Sequence, residues 1–241
     1  LRWFHIVAIG CILRSLHGLP VPPWKKSHAA SSYTGVRQKS DLYLDQVLDH
    51  HDATNLKTWR QRFFLNASFF DGDGPVFLCV GGEGPGFTEL ITVTGEDHCG
   101  WMMVLAQVHK ALVVALEHRY YGPSQPTEDL STENLAKYLS SDQALGDLVF
   151  FREYISKRFM LRSSNKWITF GGSYPGMLAA WSRSKFPHLF HASVSSSAPI
   201  RAKLNMREYN DAVSEALANE AVGGSAPCLE AVAQAFSQLG A

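Results

Sequence analysis

The segment from Trp167 to Phe186 constrains the fold more than any other part of the sequence. An apolar run of residues 167–170 leads into Gly171-Gly172-Ser173, and apolar residues at helical spacing follow from Gly176. A serine at a tight corner between a strand and a helix has its oxygen lifted above the carboxyl edge of the sheet. We therefore predict that Ser173 is a nucleophile. The alternative is an ordinary glycine-rich turn.

The residues around Ser173 fit this interpretation. Pro175 occupies the position where the last glycine of G-x-S-x-G is usual. Proline is compatible with the first turn of a helix, where its missing N–H would have no acceptor. The small residues beside the serine let the strand and helix backbones approach closely.

A nucleophilic serine also needs donors for the developing oxyanion. The backbone N–H of Tyr174, the residue after the nucleophile, is expected to supply one donor. The glycine-rich loop 81–86 is expected to supply the second, with Gly82 and Glu83 as candidates. The alternative for this loop is a tight turn without a role in binding.

The order of apolar segments predicts an α/β-hydrolase fold, with a mostly parallel sheet and helices on both faces. Strand-like runs occupy residues 59–65, 76–80, 111–116, 167–170 and 190–194, and helical patterns occupy 101–109, 141–159 and 176–186. Ser141 or Asp142 is the expected cap of the second of these helices. The turn cluster at 71–75 suggests that the first two strands form a hairpin or lie adjacent and antiparallel.

The character of the sequence changes after Pro199. Residues 206–219 and 228–239 are alanine-rich, have a helical pattern and flank a Gly-Gly-Ser break. We predict that residues 41–200 are the N-terminal part of the hydrolase domain and that residues 201–241 begin a helical cap inserted into it.

A second polar cluster closes the buried strand 111–116. Glu117, His118, Arg119 and Tyr120 follow this strand at the edge where Ser173 is expected. Glu117, Arg119 and Tyr120 are candidates for lining the substrate pocket. Structural pairing of Glu117 and Arg119 with each other or with nearby helices is the preferred interpretation, and His118 is expected to be a structural histidine.

Several motifs in the same order resemble one peptidase family. They are Gly81-Gly82-Glu83-Gly84, residues 116–122 (LEHRYYG), residues 142–145 (DQAL), residues 171–181 (GGSYPGMLAAW), residues 185–188 (KFPH) and residues 196–200 (SSAPI). Together they resemble the serine carboxypeptidase family that includes prolylcarboxypeptidase, dipeptidyl peptidase II and thymus-specific serine protease. The resemblance covers residues 41–230. It implies a lysosomal or endosomal peptidase, often with proline-linked specificity, and a helical cap after residue 200.

The rest of a catalytic triad is not evident in this sequence. In α/β-hydrolases the acid and the histidine follow the serine in the order Ser, Asp, His. After Ser173 the sequence contains only His188, His191 and Asp211 of these types. A helix leaving the elbow carries His188 about 20 Å away, and Asp211 falls in a predicted cap helix. We expect the triad Asp and His to lie outside this sequence, and the isolated chain to be poorly soluble or inactive.

The first forty residues predict an entry into the secretory pathway. Residues 1–19 resemble a signal peptide with a short apolar core, and residues 20–40 have the Pro-, Ser- and Lys-rich composition of a linker or a propeptide-like lead-in. Asn66-Ala67-Ser68 is a glycosylation sequon. Together these features favour a lysosomal, endosomal or secreted protein with no stable membrane span.

Three cysteines follow the predicted signal peptide: Cys79, Cys99 and Cys228. Cys79 lies in an apolar strand and reads as a buried thiol. Cys99 and Cys228 stand beside glycine or proline, so they are the better disulfide candidates.

The charge balance argues against a nucleic-acid partner. Lysine plus arginine equals aspartate plus glutamate, 22 against 22, so the composition gives no basis for binding nucleic acid. The expected partner is a peptide substrate, and serine chemistry calls for no cofactor or metal. Two other functions stay open: an esterase on the same fold, and a non-catalytic truncated product.

Overall fold

The computed structural model describes residues 42–239, without the side chains of residues 96–98. The predicted leader and linker, residues 1–40, lie outside the described residues. Six strands are β1 Leu42–Val47, β2 Thr58–Asn66, β3 Val76–Val80, β4 Leu112–Leu116, β5 Trp167–Gly172 and β6 Ala192–Ser196. The helices are α1 Glu96–His109, α2 Thr132–Tyr138, α3 Ser141–Arg158, α4 Ser173–Lys185, α5 Arg207–Ala218 and α6 Ala226–Leu239, with short 3₁₀ turns at Glu89–Thr92 and Glu220–Val222.

The strands form one sheet in the order β1-β2-β4-β3-β5-β6. β1 and β2 are antiparallel to their neighbours, whereas β4, β3, β5 and β6 run parallel. The carboxyl ends of the four parallel strands therefore meet at one edge, where ligands bind in open α/β sheets. This arrangement confirms the α/β-hydrolase fold.

The expected pairing of β2 with β3 is wrong. β4 lies between them, because β2 pairs with β4 through Phe63↔Leu116 and β3 pairs with the other side of β4 through Val76↔Leu112. All residues of β3 are buried. A strand of this kind is stabilised by a neighbour on each side and a helix layer on each face, which a hairpin at the sheet margin would not provide.

The two faces of the sheet carry separate cores, as the alternation of side chains along a strand requires. Val76, Leu78 and Val80 face a core built with α3 and α4. Phe77 and Cys79 face a core that includes Met102 and Ala106 of α1. The prediction of helices on both faces is confirmed.

Helix boundaries differ from the expected ones by a few residues. Ser140, rather than Ser141 or Asp142, caps α3, and its hydroxyl accepts a hydrogen bond from the Gln143 N–H. α4 begins at Ser173 itself, earlier than Gly176. The short elements β1 and α2 were not expected from the sequence pattern.

Residues 201–239 belong to a compact unit separate from that of residues 42–200. α5 and α6 are amphipathic helices without a buried residue. The interpretation of this unit as the start of a cap remains a prediction. Among residues 42–239, no helix combines the length and the apolar character that crossing a bilayer requires.

Candidate active site

Ser173 lies at the corner between β5 and α4. Its backbone adopts the left-handed conformation, with φ +58°, and the residue is exposed. A non-glycine residue in this region is strained, and such strain is concentrated at functional sites. The strand–corner–helix geometry is that of a nucleophile elbow, as the sequence predicts.

The glycines on either side make the corner possible. A Cβ on Gly171 would lie 2.4 Å from the Pro175 backbone, and a Cβ on Gly176 would lie 2.9 Å from the Ala198 Cβ. Neither position leaves room for a side chain. The two glycines therefore allow α4 to pack directly on β5 and on the segment that follows β6.

The first turn of α4 offers unpaired backbone donors. Early N–H groups of a helix have no acceptor within the helix, and Gly172 at the cap position provides no side-chain hydrogen bond. Tyr174 belongs to this first turn, which agrees with its N–H as a candidate donor to an anion beside Ser173; this role stays a prediction. The helix dipole adds a partial positive charge at this end.

The loop after β3 packs against the elbow. The Gly81 N–H donates to the Leu116 carbonyl at 2.9 Å. A Cβ on Gly82 would lie 2.2 Å from Pro175 Cγ, so the loop backbone directly covers the start of α4. Glu83 follows and is exposed. This proximity agrees with Gly82 and Glu83 as candidates for the second oxyanion donor, which stays a prediction.

The side chain of Tyr174 connects the elbow to the end of β4. Its hydroxyl lies 3.0 Å from His118 Nε2 and 3.4 Å from the Ser141 hydroxyl. On the other side of the imidazole, His118 Nδ1 lies 2.7 Å from the Arg119 carbonyl oxygen. Burial lowers the pKa of His118 from its ordinary value of 6.5, and burial raises the pKa of Tyr174. This link was not foreseen, although the position of His118 just after a buried parallel strand was a signal for it.

Glu117 forms a buried ion pair instead of lining an open pocket. The carboxylate accepts from Arg62 Nη2 at 2.6 Å, from the Ser124 hydroxyl at 2.6 Å and from the Phe87 N–H at 3.1 Å. These partners fix the far end of the loop after β3 and the turn after β4. The structure therefore favours the pairing interpretation, although the partner is on a strand.

Arg119 is also buried in a pair. Its guanidinium donates twice to Asp147 of α3, at 2.7 and 2.6 Å, and Nη1 donates to the Tyr138 carbonyl at 2.9 Å. His50 Nε2 contacts the same carboxylate at 2.8 Å. Tyr120 is 8% exposed and packs with Trp59 and Tyr138. Neither Arg119 nor Tyr120 faces an open site.

Of the two disulfide candidates, Cys99 forms a disulfide and Cys228 does not, and the interpretation of Cys79 as a buried thiol is wrong. Cys99 is bonded to Cys79, with a Cα–Cα distance of 6.0 Å, and Cys228 is an exposed free thiol. The reason is the alternation of β3, which points Cys79 at α1 on the same face as Phe77. The bond closes the loop that contains Gly82 and Glu83.

The side chain of Asn66, the first residue of the sequon, is held by hydrogen bonds on both its nitrogen and its oxygen. Asn66 Nδ2 donates to the Thr92 carbonyl at 2.7 Å, and Oδ1 accepts from the Ser68 N–H at 2.9 Å. An amide nitrogen carries two hydrogens, so this bond leaves one for attachment of a glycan. Glycosylation at Asn66 remains a prediction.

Among the side chains that the structure describes, which do not include those of residues 96–98, none forms a hydrogen bond with the Ser173 hydroxyl. The His191 N–H donates to the Trp167 carbonyl at the opposite end of β5, about 16 Å from the elbow along the strand. His188 precedes it in the same turn region, and Asp211 is exposed on α5.

Comparison with known proteins agrees with this geometry. The family model described as serine carboxypeptidase S28 matches residues 46–241. Thymus-specific serine protease from Homo sapiens is 46% identical over 198 residues, covering 82% of this chain and 37% of that protein. Lysosomal Pro-X carboxypeptidase from Homo sapiens is 34% identical over 191 residues, covering 78% and 36%.

The chain spans 37% of the length of the first of these relatives. Among solved structures, an arylesterase superposes with a TM-score of 0.41 and 14% sequence identity, over 73% of this chain and 52% of that chain. A likeness at this level carries no argument about function.

Proposed function

The chain belongs to the serine carboxypeptidase S28 family, and we propose that it supplies the nucleophile and the oxyanion hole of a serine peptidase. The observation that carries the proposal is the exposed, left-handed Ser173 at the corner between β5 and α4. The match of the S28 family model to residues 46–241 supports the reaction class.

The reaction begins when the Ser173 oxygen attacks the carbonyl carbon of the scissile bond. The carbonyl oxygen becomes an oxyanion and accepts a hydrogen bond from the Tyr174 N–H and a second one from Gly82 or Glu83. One such donor contributes about 3 kcal/mol to the stability of the transition state. The amine leaves with a proton, and water then releases the acyl group from Ser173.

The proton of Ser173 needs a base, and the base needs an orienting acid. We place both groups beyond residue 241, in the order Ser, Asp, His of α/β-hydrolases. Support comes from the greater length of the relatives and from the lack of a partner for the Ser173 hydroxyl among the described side chains, which exclude residues 96–98. On this proposal, the 241-residue chain alone has no efficient hydrolytic activity.

The proposed substrate is a peptide cleaved near one of its ends, with proline beside the scissile bond. The support is the name of one relative, Lysosomal Pro-X carboxypeptidase. The complete cap, which begins with residues 201–241 on this proposal, would determine which terminus of the peptide is recognised.

The proposed location is the secretory pathway, with the lysosome or endosome as destination or with secretion from the cell. Residues 1–19 would be the signal peptide, residues 20–40 a linker, and Asn66 a glycosylated residue. The lysosomal relative supports this assignment. Treatment of the protein from animal cells with an N-glycosidase should increase its gel mobility, and Asn66→Gln should remove that shift.

A fluorophosphonate probe tests the proposed nucleophile in the intact gene product. We expect covalent labelling that is abolished by Ser173→Ala and retained in Ser163→Ala, a control at an exposed serine of the loop before β5. Labelling that persists in Ser173→Ala would refute the proposal. An intact product that is not labelled at all would favour the non-catalytic alternative.

Substrate panels then separate a peptidase from an esterase. Xaa-Pro dipeptide amides, peptides ending in Pro-Xaa and short-chain esters should be compared at equal concentrations of labelled active site. The proposal expects a higher kcat/KM for one of the two proline-containing classes. A preference for the esters would favour the esterase alternative.

A further inference from the structure

Tyr174 has two separate connections to the site. Its backbone N–H lies in the first turn of α4, next to Ser173, and its side-chain hydroxyl reaches His118 Nε2 at 3.0 Å. The distance between these two groups is fixed by the side chain of one residue. A partner that holds the hydroxyl therefore also limits movement of the N–H.

The first turn of α4 needs an external tether. Gly172 provides no side-chain hydrogen bond to this turn, so the early N–H groups of α4 depend on partners outside the helix. Ser173 is strained at φ +58°, which favours local rearrangement of the same turn. The Tyr174 hydroxyl bond to His118 ties this turn to the end of β4, an element buried along its whole length.

The contacts of His118 define its protonated nitrogen. Nδ1 lies 2.7 Å from the Arg119 carbonyl oxygen, and a carbonyl oxygen only accepts, so Nδ1 carries the hydrogen. In the neutral ring Nε2 then holds a lone pair and accepts a hydrogen bond from the Tyr174 hydroxyl. The ring is packed against Tyr121 and Tyr174, with centroid distances of 5.4 Å for both.

The charges around the ring oppose one another. Burial has the largest effect on the pKa of His118 and favours the neutral imidazole, as does the charge of the Arg119 guanidinium. The hydrogen bond to the Arg119 carbonyl and the charges of Asp147 and Glu83 favour the protonated form. The ring is 4% exposed. The neutral form therefore persists to a lower pH than for an ordinary histidine, which preserves the acceptor for Tyr174 in a mildly acidic compartment.

We propose that His118 is a positioning residue of the oxyanion hole, because it holds the hydroxyl of Tyr174 and thereby the Tyr174 N–H beside Ser173. The inference rests on the proposed peptidase function. It assigns to His118 no contact with substrate and no role as the base, since both of its nitrogens are already engaged.

A double-mutant cycle on the intact gene product tests the inference. Tyr174→Phe removes only the hydroxyl, and His118→Gln replaces the ring with a polar side chain. We expect each variant to lower kcat roughly 3- to 10-fold, the factor for one hydrogen bond, with KM unchanged. Because His118 acts through the hydroxyl, the double variant should be no slower than Tyr174→Phe alone. Active-site titration corrects for differences in folding.

Tyr154→Phe is the matched control, since the Tyr154 hydroxyl contacts Arg158 on the surface of α3. It should keep the wild-type kcat. In ¹⁵N NMR spectra, His118 should have the hydrogen on Nδ1 at neutral pH. A titration midpoint below 6.5 is expected, the ordinary value for histidine.

Three results would contradict the inference: an unchanged kcat in Tyr174→Phe, fully multiplicative losses in the double variant, or a hydrogen on Nε2 of His118. Failure of the proposed function is recognised separately. In that case the wild-type protein gives no labelling that depends on Ser173, whereas the NMR result still reports the state of His118.

Discussion

Two buried ion pairs flank the end of β4, and they connect different parts of the molecule. Arg119 and Asp147 have side chains that are 0% and 2% exposed. Their partners lie in the backbone after β1, at the end of α2 and in α3. Arg62 and Glu117 are 12% and 3% exposed. Their additional partners are Phe87 and Ser124, in the loops beside the elbow.

The two pairs define two sides of the molecule. We call the side held by Arg119 and Asp147 the scaffold side, and the side held by Arg62 and Glu117 the site side. The Arg119–Asp147 pair joins the end of β4 to α3, to the end of α2 and to the backbone after β1. The Glu117 carboxylate instead receives hydrogen bonds from the loop after β3 and from the turn after β4, and the first of these loops covers the start of α4 at Gly82. We therefore expect loss of the first pair to reduce stability and loss of the second to reduce catalysis.

The largest expected effect is that of Arg119→Met. Without the Arg119 guanidinium, the buried Asp147 carboxylate keeps its contact with His50. Removal of one partner of a buried ion pair costs about 3–5 kcal/mol, so Arg119→Met should lower the free energy of unfolding by an amount in this range. Urea denaturation measures the change. Arg162→Met is the control, because Arg162 and Asp73 form an exposed surface pair and such pairs contribute about 0–1 kcal/mol. Equal losses in the two variants would remove the distinction between a scaffold pair and a surface pair.

Loss of the Cys79–Cys99 disulfide should come next. The bond joins cysteines separated by 20 residues, and the chain-entropy model gives about 3 kcal/mol for a loop of this length. Cys79→Ala/Cys99→Ala should therefore lower the thermal midpoint, and Cys228→Ala, at an exposed free thiol, should leave it unchanged. Because the disulfide holds the same loop as Glu117 from its other side, kcat should also fall in the double variant. A normal kcat would mean that Glu117 alone suffices to hold the loop.

Much of this fold follows from local patterns in the sequence. The apolar runs at 76–80 and 111–116 are buried strands, and the corner at Ser173 has the backbone conformation that its Gly-Gly-Ser context indicates. These features depend on neighbours in sequence, so one sequence is enough to predict them.

Features that depend on residues far apart in the sequence could not be predicted in the same way. The insertion of β4 between β2 and β3 is a matter of topology, since a turn cluster at 71–75 permits either a hairpin or a crossover. The pairing of Cys79 with Cys99 depends on which face of β3 meets α1. The bond between His118 and Tyr174 joins residues 56 positions apart. The position of His118 after a buried strand indicates that it lies at the edge of the sheet, but it does not identify Tyr174 as its partner.

On the site side, Glu117→Gln should have a moderate effect on stability and a clear effect on catalysis. The amide keeps the shape of the side chain but replaces charged hydrogen bonds, each worth about 1.5–3 kcal/mol, with neutral ones worth about 1 kcal/mol. We expect a loss of roughly 1–2 kcal/mol in the free energy of unfolding, smaller than for Arg119→Met. At equal active-site concentration, kcat should be lower in Glu117→Gln than in Arg119→Met. A lower kcat in Arg119→Met than in Glu117→Gln would mean that the Arg119–Asp147 pair, and not the Arg62–Glu117 pair, supports catalysis. Glu153→Gln, in a pair at the surface, is the control.

The smallest effect is expected at the elbow itself, and its sign is opposite. Glycine at position 173 removes the strain of a left-handed residue, about 1–2 kcal/mol, but adds roughly 0.5–1 kcal/mol of unfolded-state entropy. Ser173→Gly should therefore raise the stability of the protein by about 0–1.5 kcal/mol while abolishing labelling by the probe. Met160→Gly is the matched control, since exposed Met160 also has a positive φ, +50°. It should give a similar gain and retain full labelling. A Ser173→Gly variant that is less stable than the wild type would mean that the serine side chain stabilises the fold. It would also contradict the expectation that the left-handed conformation of Ser173 costs stability.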